Sequence, residues 1–140
     1  MDTNLRSARR VTAVTLCGMA FAAHAMASEL PRVHVLATGG TIAGAQADAA
    51  GHAYVAGKVG VDTLIRAVPG LGAIAVLTGE QVVSIGSQDM NDSVWLELAR
   101  RVETALARTD IDAVMVTHGT DTLEETSYFL SLVTKSVKPV

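Results

Sequence analysis

A chain of 140 residues that is 49% hydrophobic is long enough for one domain with a real core, and with only 4% aromatics that core must be aliphatic. The formal charge is -3, and the 27 residues at the N-terminus hold Arg6, Arg9 and Arg10 against Asp2, so 8 basic and 13 acidic groups remain beyond them. That acidic balance excludes the basic face a nucleic-acid partner needs. The single cysteine, Cys17, lies in the same N-terminal segment, which excludes a disulfide, a thiolate metal site or a cysteine nucleophile from the rest.

Residues 1–27 read as a secretory signal peptide. Three arginines precede an uncharged apolar run over residues 11–25, and Ala25-Met26-Ala27 fits the small-x-small cleavage rule, with Ala23-His24-Ala25 as a second candidate. The run is shorter than the roughly 20 residues of a membrane helix. The expected destination of residues 28–140 is the periplasm or the exterior, with no membrane attachment after cleavage.

Residues 32–38 read as a buried strand that turns sharply on Gly39 and Gly40 and presents Thr41. An ordinary strand-to-loop turn would look the same, and only a second stretch weighs against that reading. Residues 45–57 lack both the period of a strand and that of a helix, and suggest a lid or binding loop. Its one aromatic, Tyr54, either pins the loop to the body or swings over Thr41. Residues 61–68 predict a short helix stopped by Pro69-Gly70. Residues 74–77 and 81–85 read as two strand-like runs broken at Thr78-Gly79-Glu80.

Gly86-Ser87-Gln88-Asp89 follows at another strand end, and Asn91 or Asp89 can cap the next helix, predicted over residues 92–107. Val94, Trp95, Leu98, Val102, Ala105 and Leu106 form its apolar stripe, with Glu97, Arg100, Arg101 and Glu103 as its solvated face. Residues 112–117 read as a strand, with residues 113–116 in a continuous apolar run typical of a strand covered on both faces. It ends in Thr117-His118-Gly119-Thr120-Asp121, and a helix starts at once, with Thr122 and Glu125 at capping-box spacing. Lys138-Pro139-Val140 looks like the start of another strand. Alternating strands and helices point to an α/β sandwich with a mostly parallel sheet.

Three strand ends then carry hydroxyls or acids: Thr41, Ser87-Gln88 and Thr120-Asp121. In a parallel sheet these ends share one edge. A hydroxyl needs a base before it attacks, a carboxylate there can hold an ammonium group, and amides at a helix start can stabilise an oxyanion. The set suits acyl transfer on a small zwitterion. His118 reads as structural, since neither His24 nor His34 stands at metal-ligand spacing from it, and no metal is expected. The glycines do not match a dinucleotide or P-loop pattern.

Residues 37–44 (Ala-Thr-Gly-Gly-Thr-Ile-Ala-Gly) and residues 117–126 (Thr-His-Gly-Thr-Asp-Thr-Leu-Glu-Glu-Thr) together strongly resemble the two signature motifs of bacterial-type L-asparaginases. Residues 55–61, 79–95 and 138–140 are similar to the exported, type II branch. The resemblance implies that residues 28–140 are the front part of the family's large domain, an incomplete three-layer α/β sandwich. It implies an amidohydrolase that converts L-asparagine, with variable activity on L-glutamine, to L-aspartate and ammonia without a cofactor. Thr41 matches the primary nucleophile that forms an acyl-enzyme, Tyr54 the tyrosine that assists its deprotonation, and Thr120 the second catalytic threonine. Ser87, Gln88 and Asp121 match the groups that grip the substrate's α-carboxylate and α-ammonium, with Asp121 also in the catalytic set. A homotetramer with sites between subunits is implied as well.

One departure matters. The family's catalytic lysine, partner of the acid matched by Asp121, falls beyond residue 140, and Lys135 and Lys138 do not occupy its motif. Losing a positioned base costs on the order of 10²–10⁴ in rate, so this chain alone is expected to be inactive or nearly so and to expose an unpaired sheet edge. Two other readings stand beside the enzyme: a non-catalytic remnant or amino-acid-binding module, and an amidotransferase-linked relative acting on a tRNA-bound amide, which the export signal and acidic charge disfavour.

Overall fold

The computed structural model describes residues 29–46, 54–55 and 57–140. The expected signal peptide, the middle of the loop with Asp48 and His52, and the side chain of Tyr54 lie outside the described residues.

Strand β1 (Arg32–Gly39) forms the centre of a three-stranded sheet. A two-residue antiparallel ladder follows it, β2 (Ala45–Gln46) against β3 (Tyr54–Val55), so the expected loop has a hairpin base that its composition did not announce. Helix α1 (Val61–Ala67) leads to strand β4 (Val76–Ile85), helix α2 (Asp92–Leu106) to strand β5 (Ala113–Thr117), and helix α3 (Leu123–Val133) comes next. The sheet order is β4-β1-β5, all parallel, the α/β arrangement expected.

Alternation along β1 sorts its side chains to two faces. Val35 and Ala37 bury against Val61 of α1. Leu36 turns the other way into a larger cluster with Leu98, Val102, Ala105 and Leu106 of α2, Val114 of β5 and Leu130 of α3. Leu36 and Leu98 are fully buried, each contributing about 1.5–3 kcal/mol. The layers are therefore α1, sheet, and α2 with α3. Strand β5 is covered only on the second face. Met115, on the α1 side, is 44% exposed, because α1 packs over β1 and β4. The continuous apolar run had suggested cover on both faces.

The two expected runs around Gly79 are one strand. Glycine does not break it; it admits the helix. A Cβ on Gly79 would lie 2.7 Å from Val61 Cγ2 and 3.1 Å from Ile65 Cδ1, so α1 rests on the gap this residue leaves. Two residues on, pairing is irregular. Ala37 aligns with Gln81 but Gly39 with Ile85. The Gln81 side chain fills the gap, its Nε2 donating to Ala37 O at 3.2 Å and Val83 O at 2.6 Å, while Oε1 accepts from Val61 N at 3.2 Å. That last bond satisfies a free amide of α1, whose N-cap, Gly60, has no side chain.

Helix α2 is capped by Asn91, whose side chain accepts from Ser93 N and Val94 N. The face expected to be merely solvated makes cross-links. Arg101 bonds Glu97 at 2.6 Å within the helix and reaches Glu80 of β4 at 2.8 Å. Glu80 in turn lies 3.5 Å from the ring of His34, which is buried and bonded to Thr78 Oγ1 at 2.7 Å.

The rim where the strands begin is held by ions. Arg32 donates to both Asp112 oxygens, from Nε at 3.1 Å and Nη2 at 2.9 Å, and its backbone N–H adds a bond at 2.8 Å. These side-chain bonds from Arg32, with its backbone N–H, hold the Asp112 carboxyl down to about 2. Arg108 does the same for Asp110, also to about 2. The expected strand at the C-terminus appears as one bond, Val114 N to Pro139 O at 3.0 Å, while Lys138 Nζ donates to Leu106 O at 2.8 Å and also to Arg108 O.

Gly79→Ala should lower stability by about 1–3 kcal/mol through overpacking, measured by urea unfolding. Adding Val61→Ala should cost less than the sum of the two single changes. The Asp112 bond acts in a defined pH window. A carboxyl depressed in the folded state stabilises above its unfolded pKa of about 4 and loses that contribution as pH falls through its folded value of about 2. The stability difference between parent and Asp112→Asn should therefore be full above pH ~4 and close below it.

Candidate active site

All three predicted strand ends lie on one rim, because β1, β4 and β5 run parallel. Gly39 and Gly40 leave β1 at φ 107° and 73°, values that a side chain would strain. Gly40 N donates to Ile85 O at 2.7 Å, tying this turn to the end of β4. It is also in backbone contact with the turn after β5: a Cβ on Gly40 would overlap Gly119 N and Cα. A Cβ on Gly119 would overlap Ser87 Oγ. Three turns thus meet at Gly40, Ser87 and Gly119, and Thr41 and Thr120, each one residue further on, are exposed beside the meeting point.

Ser87 is buried, 4% exposed, and links two of the turns. Its hydroxyl donates to Asp121 Oδ2 at 2.6 Å and accepts from Asp121 N at 3.1 Å. Its carbonyl accepts from Thr122 Oγ1 at 2.9 Å. The capping-box spacing at Thr122 is therefore put to other use. Thr122 stands at the N-cap of α3, but its side chain caps nothing; the hydroxyl is diverted across to the Ser87 turn. Gln88 shares that turn, yet its amide folds over Gly86 and donates to Asp89 Oδ2 at 3.3 Å, outside the Ser87–Asp121 pair.

Tyr54 is placed by its backbone alone. It pairs with Gln46 in the hairpin, and the returning arm is bonded to the Thr41 turn through Gly57 N to Gly40 O at 3.2 Å and Val59 N to Ala43 O at 2.7 Å. The structure thus gathers Thr41, Ser87, Thr120 and Asp121 at one rim, sets Gln88 beside them, and roots the Tyr54 strand in the same turn. His118 is bonded within the fold, and its partners were not foreseen. They are the Gly119 carbonyl on one side and, on the other, Thr126 and through it the indole of Trp95. A lone tryptophan packed on a helix needs an acceptor for its N–H, and that was the available signal.

A family model described as "Asparaginase, N-terminal" matches residues 32–140. The chain belongs to the asparaginase family. It is 54% identical over 129 residues to L-asparaginase 2 of Escherichia coli, covering 92% of this chain and 36% of that one. It is 53% identical over 116 residues to a protein of Haemophilus influenzae named "Probable L-asparaginase periplasmic", covering 83% and 33%. A glutaminase-asparaginase of Pseudomonas fluorescens is 53% identical over 114 residues, covering 81% and 32%. Among solved structures, the probable cytoplasmic L-asparaginase of Campylobacter jejuni superposes with a TM-score of 0.65 at 46% identity, over 71% of this chain and 31% of that one. The asparaginase chain thus spans about a third of the length of the relatives it matches.

Gly40→Ala should destabilise the chain on the order of 3 kcal/mol, since backbone strain and overlap with Gly119 act together. Gly70→Ala is the control. Gly70 also has a positive φ, 86°, but open space around it, so strain alone should cost about 1 kcal/mol. Urea unfolding of both variants checks the difference.

Proposed function

We propose that this chain is the nucleophile-bearing front part of an exported amidohydrolase that converts L-asparagine, and L-glutamine to a variable degree, to the corresponding acid and ammonia. The observation that carries the reading is the meeting of three strand-end turns, with Thr41, Thr120 and Asp121 exposed at the meeting point and Asp121 bonded to the buried Ser87 hydroxyl. The similarity to enzymes named L-asparaginase and glutaminase-asparaginase supports it.

In this reading the Thr41 hydroxyl attacks the side-chain amide carbon once its proton is removed, with Tyr54 assisting and Thr120 as the second catalytic threonine. The C–N bond breaks, the nitrogen takes up a proton and leaves as ammonia, and an ester to Thr41 remains. Water then cleaves that ester and returns the proton to the threonine. Asp121 holds the α-ammonium of the substrate and takes part in proton transfer, while Ser87 and Gln88 hold the α-carboxylate. Protein side chains, among them the lysine that the family resemblance places beyond residue 140, carry the whole sequence, so no cofactor is required.

The proposal also covers what surrounds the chemistry. Residues 1–27 act as the signal peptide, the periplasm or the exterior is the destination, and the complete enzyme is a homotetramer. The 140-residue chain by itself is inactive, a binding-competent remnant at most. Lys138 is committed to the end of α2, so it is not available as the base at the opposite rim.

Ammonia release from L-asparagine tests this. The purified 140-residue chain should show none, and the same chain extended by the downstream region its relatives carry should turn over. Thr41→Ala should abolish that turnover with the fold retained by circular dichroism. Turnover that survives Thr41→Ala would move the nucleophile to Thr120, and turnover by the short chain would overturn its assignment as inactive.

A further inference from the structure

Behind the rim, on the side of α3, three hydrogen bonds form a chain whose direction is fixed at both ends. The Trp95 indole Nε1–H donates to Thr126 Oγ1 at 2.8 Å. Thr126 Oγ1 lies 3.0 Å from His118 Nε2, and His118 Nδ1 lies 2.7 Å from the Gly119 carbonyl oxygen. An indole nitrogen only donates, and a carbonyl oxygen only accepts. His118 Nδ1 therefore carries a proton. In the neutral ring Nε2 is then a lone pair, and the Thr126 hydroxyl, already accepting from Trp95, turns its own proton toward it. Thr126 is 2% exposed, so bulk water does not compete for that hydroxyl.

We infer that Thr126 and Trp95 are positioning residues for the rim: they lock His118 as the neutral Nδ1–H tautomer, and through it pin the Gly119 carbonyl. The argument turns on what residue 119 lacks. It must be glycine, since a Cβ there would overlap Ser87 Oγ. A glycine leaves the adjoining peptide free of the steric limits that other residues impose. The His118 bond supplies the missing constraint. A trans peptide is planar, with its N–H opposite its C=O. Holding the Gly119 oxygen against His118 sets the direction of the Thr120 amide and the point from which the Thr120 and Asp121 side chains depart. Its consequence for turnover rests on the hydrolytic reading of the rim, but the tautomer lock does not.

The test is made without substrate. Imidazole ¹H–¹⁵N spectra of the ¹⁵N-labelled 140-residue chain, recorded where histidine is neutral, should show a protonated Nδ1 and a pyridine-like Nε2 for His118, the reverse of the form free histidine favours. Thr126→Ser, which keeps the hydroxyl, should keep that pattern. Thr126→Val should give a mixture of tautomers and move the Thr120 amide resonance. If the valine variant fails to fold by circular dichroism, Thr126→Ala removes the hydroxyl without adding bulk and takes its place. An Nε2–H tautomer in the parent, or an unchanged tautomer and Thr120 amide in the variant that folds, overturns the inference. Because asparagine is absent from the measurement, loss of the hydrolytic reading would leave this result standing.

Discussion

Gly40 and Gly119 lie backbone against backbone, and the candidate site is built outward from that contact. Two strands of a parallel sheet deliver their ends to one edge, but the strand spacing alone leaves room for side chains between the turns. Removing both Cβ atoms closes that room. The hydroxyl of Ser87 then packs over Gly119 and reaches Asp121. Small polar groups from distant parts of the chain are thus brought to one meeting point. A side chain at either glycine would push the turns apart with every gathered polar group left in place.

Much of this was legible in the residues. The apolar run before Gly39, the branched run before Gly86 and the run before His118 marked three strand ends, and the observed parallel order puts them together. What was misread has a common cause: a local pattern was overruled by a tertiary partner. Gly79 looked like a break because its reason for being glycine, the approach of Val61 and Ile65, lies on another element. Thr122 and Glu125 have the spacing of a cap, yet the threonine hydroxyl is claimed by Ser87. The run of residues 113–116 reads as doubly buried because composition cannot tell how far α1 extends over the sheet. His118 could be judged structural from its isolation, but Thr126 is one of several hydroxyls along α3 and only the fold singles it out.

The site's organisation also explains why so little of it depends on charge. Asp121 is its one acid among the gathered groups, and the bonds that set its place come from a hydroxyl and from its own backbone. Neutral donors in fixed positions suit a reaction in which charge appears only transiently, since they need not reorganise when it does.

The opposite rim is built from different material. Arg32 with Asp112, and Arg108 with Asp110, are exposed ion pairs, and such pairs weaken as ionic strength rises. The contacts among Gly40, Ser87 and Gly119 are steric and hydroxyl-based, and added electrolyte leaves them alone. Salt concentration therefore addresses one end of the sheet and passes over the other, and the seam where the strands begin can be loosened without disturbing the seam where they end.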